Sequence, residues 1–217
     1  MNAVIIFTKF PRKGIVKTRL GKTLGNKFAV DFSRLMAEHV FNVCLSLPEN
    51  DYHLFLFHDN PNEKDSIKNW VDKRFSLQLQ EGADLGEKMK NAFRFLFNKG
   101  YKKIVITGTD CPDIEADILL KAFAELSSGN AAIGPSTDGG YYLLGMDSFY
   151  PFLFDDIKWS SDTVFQETIK RLKENRIDYS FLPVLIDIDT EEDLKKWLMN
   201  SKKENEMTKL IDLYGLR

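Results

Sequence analysis

Short apolar runs alternate along this chain with longer stretches whose apolar residues return every three or four positions. Residues 3–8 (AVIIFT), 52–57 (YHLFLF) and 103–108 (KIVITG) are nearly continuous apolar runs, and such runs suit strands covered on both faces, as in a parallel sheet. Residues 76–80, 131–134 and 141–145 read as further strands. Helical spacing predicts a long helix over 26–47, with Phe28, Phe32, Leu35, Met36, Val40, Val43 and Leu47 on one face. Shorter helices are predicted over 63–71, 84–98, 116–126 and 162–175, with Gly100 placed for a C-terminal cap. Residues 179–182 and 185–188 read as extended. Thr190-Glu191-Glu192-Asp193 has the form of a capping box and opens a last helix to about residue 199. Residues 201–206 are a polar linker, and 207–217 a short amphipathic tail. Strands alternating with helices imply an α/β fold with a mainly parallel sheet, a domain over 1–199 and an appendage over 200–217.

Composition narrows the function classes. The 217 residues carry 30 basic and 32 acidic side chains, a net charge of −2, so no global basic field for nucleic acid is present and no nucleic-acid partner is expected. No apolar run approaches the ~18 residues of a membrane span, and no membrane insertion is expected. The first residues lack a basic leader and read as a strand rather than a signal peptide. Two cysteines without a C-x-x-C spacing argue against a disulfide scaffold or a zinc site and fit a reducing cytoplasm.

Ligands of such sheets bind outside the carboxyl ends of the strands, so the chemistry is sought there. After the first strand, Lys9, Arg12, Lys13, Lys17, Arg19 and Lys22 fall in one stretch with no acid, and Gly14 lets the backbone approach a ligand. That pattern suits phosphate, although a solvated charged loop has the same composition. No Walker loop or dinucleotide fingerprint occurs. Asp110 leaves a buried strand where a carboxylate can hold Mg²⁺ or Mn²⁺ on a phosphate. Pro112 and Asp113 suit the capping of the next helix, which leaves Asp110 free. Asp187 and Asp189 alternate and so point the same way in extended chain, with Thr190 supplying the helix cap. Asp138-Gly139-Gly140-Tyr141-Tyr142 reads equally as a hairpin turn or as a close approach to a sugar or base. Asp84, Gly86 and Glu87 open a helix beside the presumed pocket, where Asp84 can be a plain cap. His39, His53 and His58 read as surface or core residues, and Cys111 has no histidine partner that would make it a nucleophile.

At these residues the chain resembles bacterial glycosyltransferase-like proteins of the nucleotide-diphospho-sugar transferase (GT-A) superfamily. The resemblance rests on Pro11-Arg12-Lys13-Gly14-Ile15-Val16-Lys17-Thr18-Arg19-Leu20, Gly82-Ala83-Asp84-Leu85-Gly86-Glu87 and Gly108-Thr109-Asp110-Cys111-Pro112. It continues through Asp138-Gly139-Gly140-Tyr141-Tyr142, Trp159-Ser160-Ser161-Asp162-Thr163 and Asp187-Ile188-Asp189-Thr190, spanning residues 1 to about 198. More distantly the layout is similar to molybdenum-cofactor and phospholactate guanylyltransferases and to CMP-Kdo synthetase. The resemblance implies a Rossmann-like, three-layer α/β/α fold with a mostly parallel central sheet. It implies a metal-dependent transferase whose partners are a nucleotide or nucleotide-sugar substrate and an acceptor. Asp110 and Asp189 are then the expected metal ligands for Mg²⁺ or Mn²⁺. Lys9, Arg12, Gly14, Lys17 and Arg19 are the expected phosphate contacts, with Asp84, Gly86 and Glu87 as base or ribose contacts. Asp110, Asp138 and Lys17 are the expected catalytic groups. Where many glycosyltransferases of this fold carry Asp-x-Asp, this chain has Asp110-Cys111-Pro112-Asp113, and Lys17-Thr18-Arg19 looks more like a nucleotidyltransferase clamp. Nucleotidyl transfer with release of pyrophosphate is therefore the alternative reaction, and a nucleotide-binding regulatory module the alternative without catalysis.

Overall fold

In the computed structural model, which describes residues 1–126, 129–201 and 204–216, seven strands form one sheet. They are β1 (Asn2–Thr8), β2 (Tyr52–His58), β3 (Phe75–Leu79), β4 (Lys103–Thr107), β5 (Asn130–Pro135), β6 (Tyr141–Met146) and β7 (Asp178–Phe181). Their order is β3-β2-β1-β4-β6-β5-β7. Every pair is parallel except those of β6, which runs antiparallel to both β4 and β5. Because β6 is reversed, the turn between β5 and β6 lies at the edge where β1 and β4 end, beside Thr107, which pairs with Leu143.

The helices are α1 (Thr18–Leu24), α2 (Asn26–Leu45), α3 (Lys64–Trp70), α4 (Leu85–Asn98), α5 (Ala116–Glu125), α6 (Val164–Glu174), α7 (Glu191–Asn200) and α8 (Glu206–Leu213). The continuous apolar run of β1 has a direct cause in the layering. Val4 and Ile6 pack with Val40 and Cys44 of α2, Ile67 of α3, and Leu119 and Phe123 of α5. Ala3 and Ile5 face the other way, onto Met89, Phe93 and Leu96 of α4 and Ile169 and Leu172 of α6. Both faces are thus dry, and no polar alternation can occur.

A third cluster lies off the sheet. Leu20 of α1, Phe28, Phe32 and Met36 of α2, Leu194 and Trp197 of α7, and Met207 and Ile211 of α8 pack together. A helix of eight residues is not stable alone. Fully burying a large apolar side chain contributes about 1.5–3 kcal/mol, so Met207 and Ile211 hold α8 in place. The amphipathic tail is therefore docked against α2 and α7; residues 202 and 203 of the polar linker, and residue 217, lie outside the described residues.

Two local expectations need correction. The basic stretch is not loop throughout, because α1 occupies residues 18–24; it is held by burial of Leu20 and by Gly21, whose missing side chain lets Asn26 and Ala29 approach. Asp113 does not cap α5. The residue before that helix is Glu115, and Asp113 Oδ1 accepts a hydrogen bond from Trp197 Nε1 at 2.9 Å.

Candidate active site

Four segments meet at the carboxyl edge of the sheet: the loop after β1, the loop after β4, the β5–β6 turn and residues 183–189. Backbone hydrogen bonds fix the last of these against its neighbours. Leu185 N donates to Pro135 O (3.1 Å), Thr137 N to Leu185 O (3.0 Å), and Ile188 N to Asp110 O (3.1 Å). Tyr142 Oη donates to Pro183 O at 3.0 Å. The carboxylates of Asp187 and Asp189 are thereby set beside Asp110, although they lie far from it in sequence.

Lys17 stands where these carboxylates meet. Its Nζ is 2.6 Å from Asp110 Oδ1, 2.9 Å from Asp189 Oδ1 and 3.6 Å from Asp187 Oδ1. The lysine side chain is 4% exposed. Its backbone is left-handed, with φ 43° and ψ 46°, and its carbonyl accepts from Gly21 N at 2.8 Å as α1 begins. Burial disfavours the charged amine, but Asp110, Asp187 and Asp189 outweigh it and hold the ammonium well above the ordinary lysine range. Asp187 is the opposite case. Its burial and the neighbouring Asp110 charge push the carboxyl up to about 8, against the pull of Lys17. At Asp189, burial works against ionisation, but Lys17, helped by Arg19 and Lys9, lowers the pKa.

These groups border a cleft of about 670 Å³. Lys9, Lys17, Arg19, Asp110, Asp138 and Asp189 all line it. Asp138 is held in its turn, accepting from Ser136 Oγ at 2.5 Å and from Gly140 N at 3.0 Å through Oδ1. That turn is pinned from outside, because Phe165 N donates to Gly139 O at 3.0 Å. Hairpin turn and cleft wall are here the same structure.

Other expected contacts stand elsewhere. Arg12 is drawn aside by an ion pair with the buried Glu63, and neither it nor Gly14 lines the cleft. Asp84 caps α4, accepting from Glu87 N at 2.9 Å, while Glu87 accepts from Ala83 N at 2.8 Å. Gly86 lies under Trp159, whose indole would overlap any side chain placed there. Asp84, Gly86 and Glu87 form a helix cap and a packing point in this structure and do not line the cleft, although Leu85 between them does. None of the three histidines lines the cleft. Cys111 does, but burial and the nearby acids raise its thiol well above the ordinary range, which disfavours the nucleophilic thiolate.

Several cleft residues received no role from the sequence. Asp187 is the clearest, since its alternation with Asp189 was visible but its meeting with Lys17 was not. Trp159, Ser160, Ser161 and Asp162 form another wall; the Trp-Ser-Ser-Asp string was visible, its position was not. Among the described residues no group of three or more acidic, imidazole or thiol side chains is arranged to hold a metal ion; Asp110, Asp187 and Asp189 face the lysine nitrogen instead. No helix among the described residues is long and apolar enough to cross a membrane.

Comparison with known proteins sets these observations in a lineage. The family model described as "Uncharacterized protein conserved in bacteria" (DUF2064) matches residues 21–161. No curated protein matches significantly. Among solved structures, a Desulfovibrio desulfuricans G20 protein provisionally named a nucleotide-diphospho-sugar transferase is 32% identical, with TM-score 0.91, covering 98% of this chain and 96% of its own. The 4-diphosphocytidyl-2C-methyl-D-erythritol synthase of Anaerococcus prevotii DSM 20548 shares the fold at 14% identity and TM-score 0.58, covering 91% of this chain and 96% of its own. Rv0371C of Mycobacterium tuberculosis H37Rv, solved with manganese, shares it at 12% identity and TM-score 0.57, covering 92% and 99%. With nearly two thirds of its length matched by one family and 98% of it superposing on the Desulfovibrio protein, this chain belongs to the DUF2064 family and has the nucleotide-diphospho-sugar transferase fold.

Proposed function

We propose that this protein is a cytoplasmic, divalent-metal-dependent transferase that takes a nucleotide-sugar donor and passes the sugar to an acceptor. The observation that carries the reading is the meeting of Asp110, Asp187 and Asp189 with Lys17 at the mouth of a cleft where Lys9 and Arg19 also project. The donor set suits Mg²⁺ or Mn²⁺, because its atoms are carboxylate oxygens and three carboxylates face one ammonium. Asp110 and Asp189 would hold the metal, which when bound supplies Lewis-acid neutralisation of the diphosphate. Lys9 and Arg19 would bind the phosphates and stabilise charge that builds on the leaving nucleoside diphosphate. Asp138, fixed by Ser136 and Gly140, would orient the acceptor or take its proton. The two free, buried cysteines fit a reducing compartment.

Nucleotidyl transfer is the second reading. It is favoured by the cluster of Lys9, Lys17 and Arg19 on one loop-to-helix segment of the cleft, which suits a triphosphate whose pyrophosphate departs. One assay separates the two. The protein is incubated with nucleotide sugars or nucleoside triphosphates, with Mg²⁺ or Mn²⁺, and released nucleoside diphosphate and pyrophosphate are measured. Asp110→Asn is expected to abolish metal-dependent turnover while leaving the fold intact. Unchanged turnover in that variant would remove Asp110 from the mechanism.

A further inference from the structure

Lys17 is the least expected feature of the cleft. A lysine offered to a substrate phosphate should be exposed and unpaired in the free protein. This one is buried, and its ammonium lies between three carboxylates. We infer that Lys17 is a tethered counter-ion, which holds the acid cluster together in the metal-free protein and leaves it when a divalent cation binds. The inference rests on the metal-dependent reading above.

Space argues for exchange rather than coexistence. Nζ lies 2.6 Å from Asp110 Oδ1 and 2.9 Å from Asp189 Oδ1, so it fills the gap between the two oxygens assigned to the metal. Mg²⁺ requires oxygen ligands at about 2.0–2.1 Å, and a cation drawing both of those oxygens onto itself takes the nitrogen's place. Charge argues the same way. One ammonium leaves the crowded carboxylates of Asp110 and Asp189 incompletely neutralised. A divalent ion neutralises more of their charge. The backbone does not have to move, because the Lys17 carbonyl is engaged by Gly21 N at the start of α1. Only the side chain has to turn. The freed ammonium would then enter the cleft that Lys9 and Arg19 already line, so metal loading and completion of the phosphate site become one event.

The test is metal binding in the full chain without nucleotide, by calorimetry and by electron paramagnetic resonance of Mn²⁺. Lys17→Met removes the competing cation, and Mn²⁺ affinity is expected to rise at least about tenfold, the scale of the attraction between unit charges within 4 Å that the metal must otherwise displace. In parallel, the Nζ resonance of Lys17 is followed in ¹⁵N-lysine-labelled wild-type protein. It is expected to be protected from exchange in metal-free protein and to lose that protection as Mg²⁺ saturates. Equal or weaker Mn²⁺ binding by the variant, or an unchanged Lys17 resonance in Mg²⁺-loaded wild type, overturns the exchange and leaves the metal-dependent reading standing. Absence of Mn²⁺ binding in both proteins overturns both. If Lys17→Met does not fold, the wild-type resonance decides alone.

Discussion

Replacing Gly139 with alanine tests whether the turn that carries Asp138 is as fixed as its geometry implies. Gly139 has φ +88°, where an L-residue with a side chain costs about 1–2 kcal/mol. An ideal Cβ would also lie 2.1 Å from the Asp162 carbonyl oxygen and 2.7 Å from Asp162 Cα and its carbonyl carbon. These are backbone atoms of the adjoining cleft wall, so no rotamer change relieves the overlap, and such overpacking costs about 1–3 kcal/mol. The two effects together predict a loss of about 2–5 kcal/mol. At about 2–4 °C per kcal/mol for a chain of this size, melting should fall by roughly 4–20 °C. Gly140→Ala is the internal control. Its nearest neighbour would be Asp138 Oδ1 at 3.3 Å, followed by Ser136 Oγ at 3.4 Å, both side-chain atoms. Paired calorimetric melts decide the matter. If Gly139→Ala melts within about 2 °C of both wild type and Gly140→Ala, a shift under about 1 kcal/mol, the two cleft walls are not in rigid contact and the reasoning is wrong.

Three further outcomes are expected. Trp197→Phe deletes a buried indole and its hydrogen bond to Asp113, and should lower the urea-unfolding free energy by about 1–3 kcal/mol; an unchanged midpoint would show that α7 does not need this contact. Asp187 titrates near 4 when unfolded and near 8 when folded, so the folded state binds the extra proton between those values and its contribution to stability falls as pH rises. Asp187→Asn should therefore gain stability relative to wild type from pH 5 to pH 9, and a pH-independent difference in urea midpoints would refute the assignment. Burial pushes Cys44 up to about 12 and Cys111 upward as well, so a thiol reagent at neutral pH should label neither in the native protein and both after denaturation; rapid native labelling of Cys111 would mean that the cleft opens further than described.

The sheet was legible because two-sided burial leaves a chain little choice of composition: residues 3–8 read as a covered strand before any coordinate is known, and both faces of β1 are indeed packed. Caps were legible for a similar reason. Thr190 and Asp193 make their reciprocal bonds within four residues, so no distant contact is needed to see them. α1 was missed because seven residues give barely two turns of periodicity, and its stability comes from α2 rather than from its own pattern. The charge run after β1 could not be sorted from sequence either. Arg12 is taken by Glu63 and Lys17 by three acids, while Lys9 and Arg19 face the cleft, and these fates depend on partners tens to hundreds of residues away. Asp113 was misread for the same reason, since its partner Trp197 is 84 positions distant.

The Lys17–Asp189 contact spans 172 positions, and that separation has a meaning for how the molecule assembles. Contacts between distant segments carry a large loop-closure entropy and are favoured only once nearer pairings have shortened the effective path. The strands β1, β2 and β4 can pair before residues 187–189 arrive, and Asp110 waits at the edge of that partial sheet with water around it. These like charges are crowded together only when residues 187–189 dock beside Asp110, the same step that seals Lys17 among them. The repulsion among these acids is thus met only where a cation already on the chain is present to offset it.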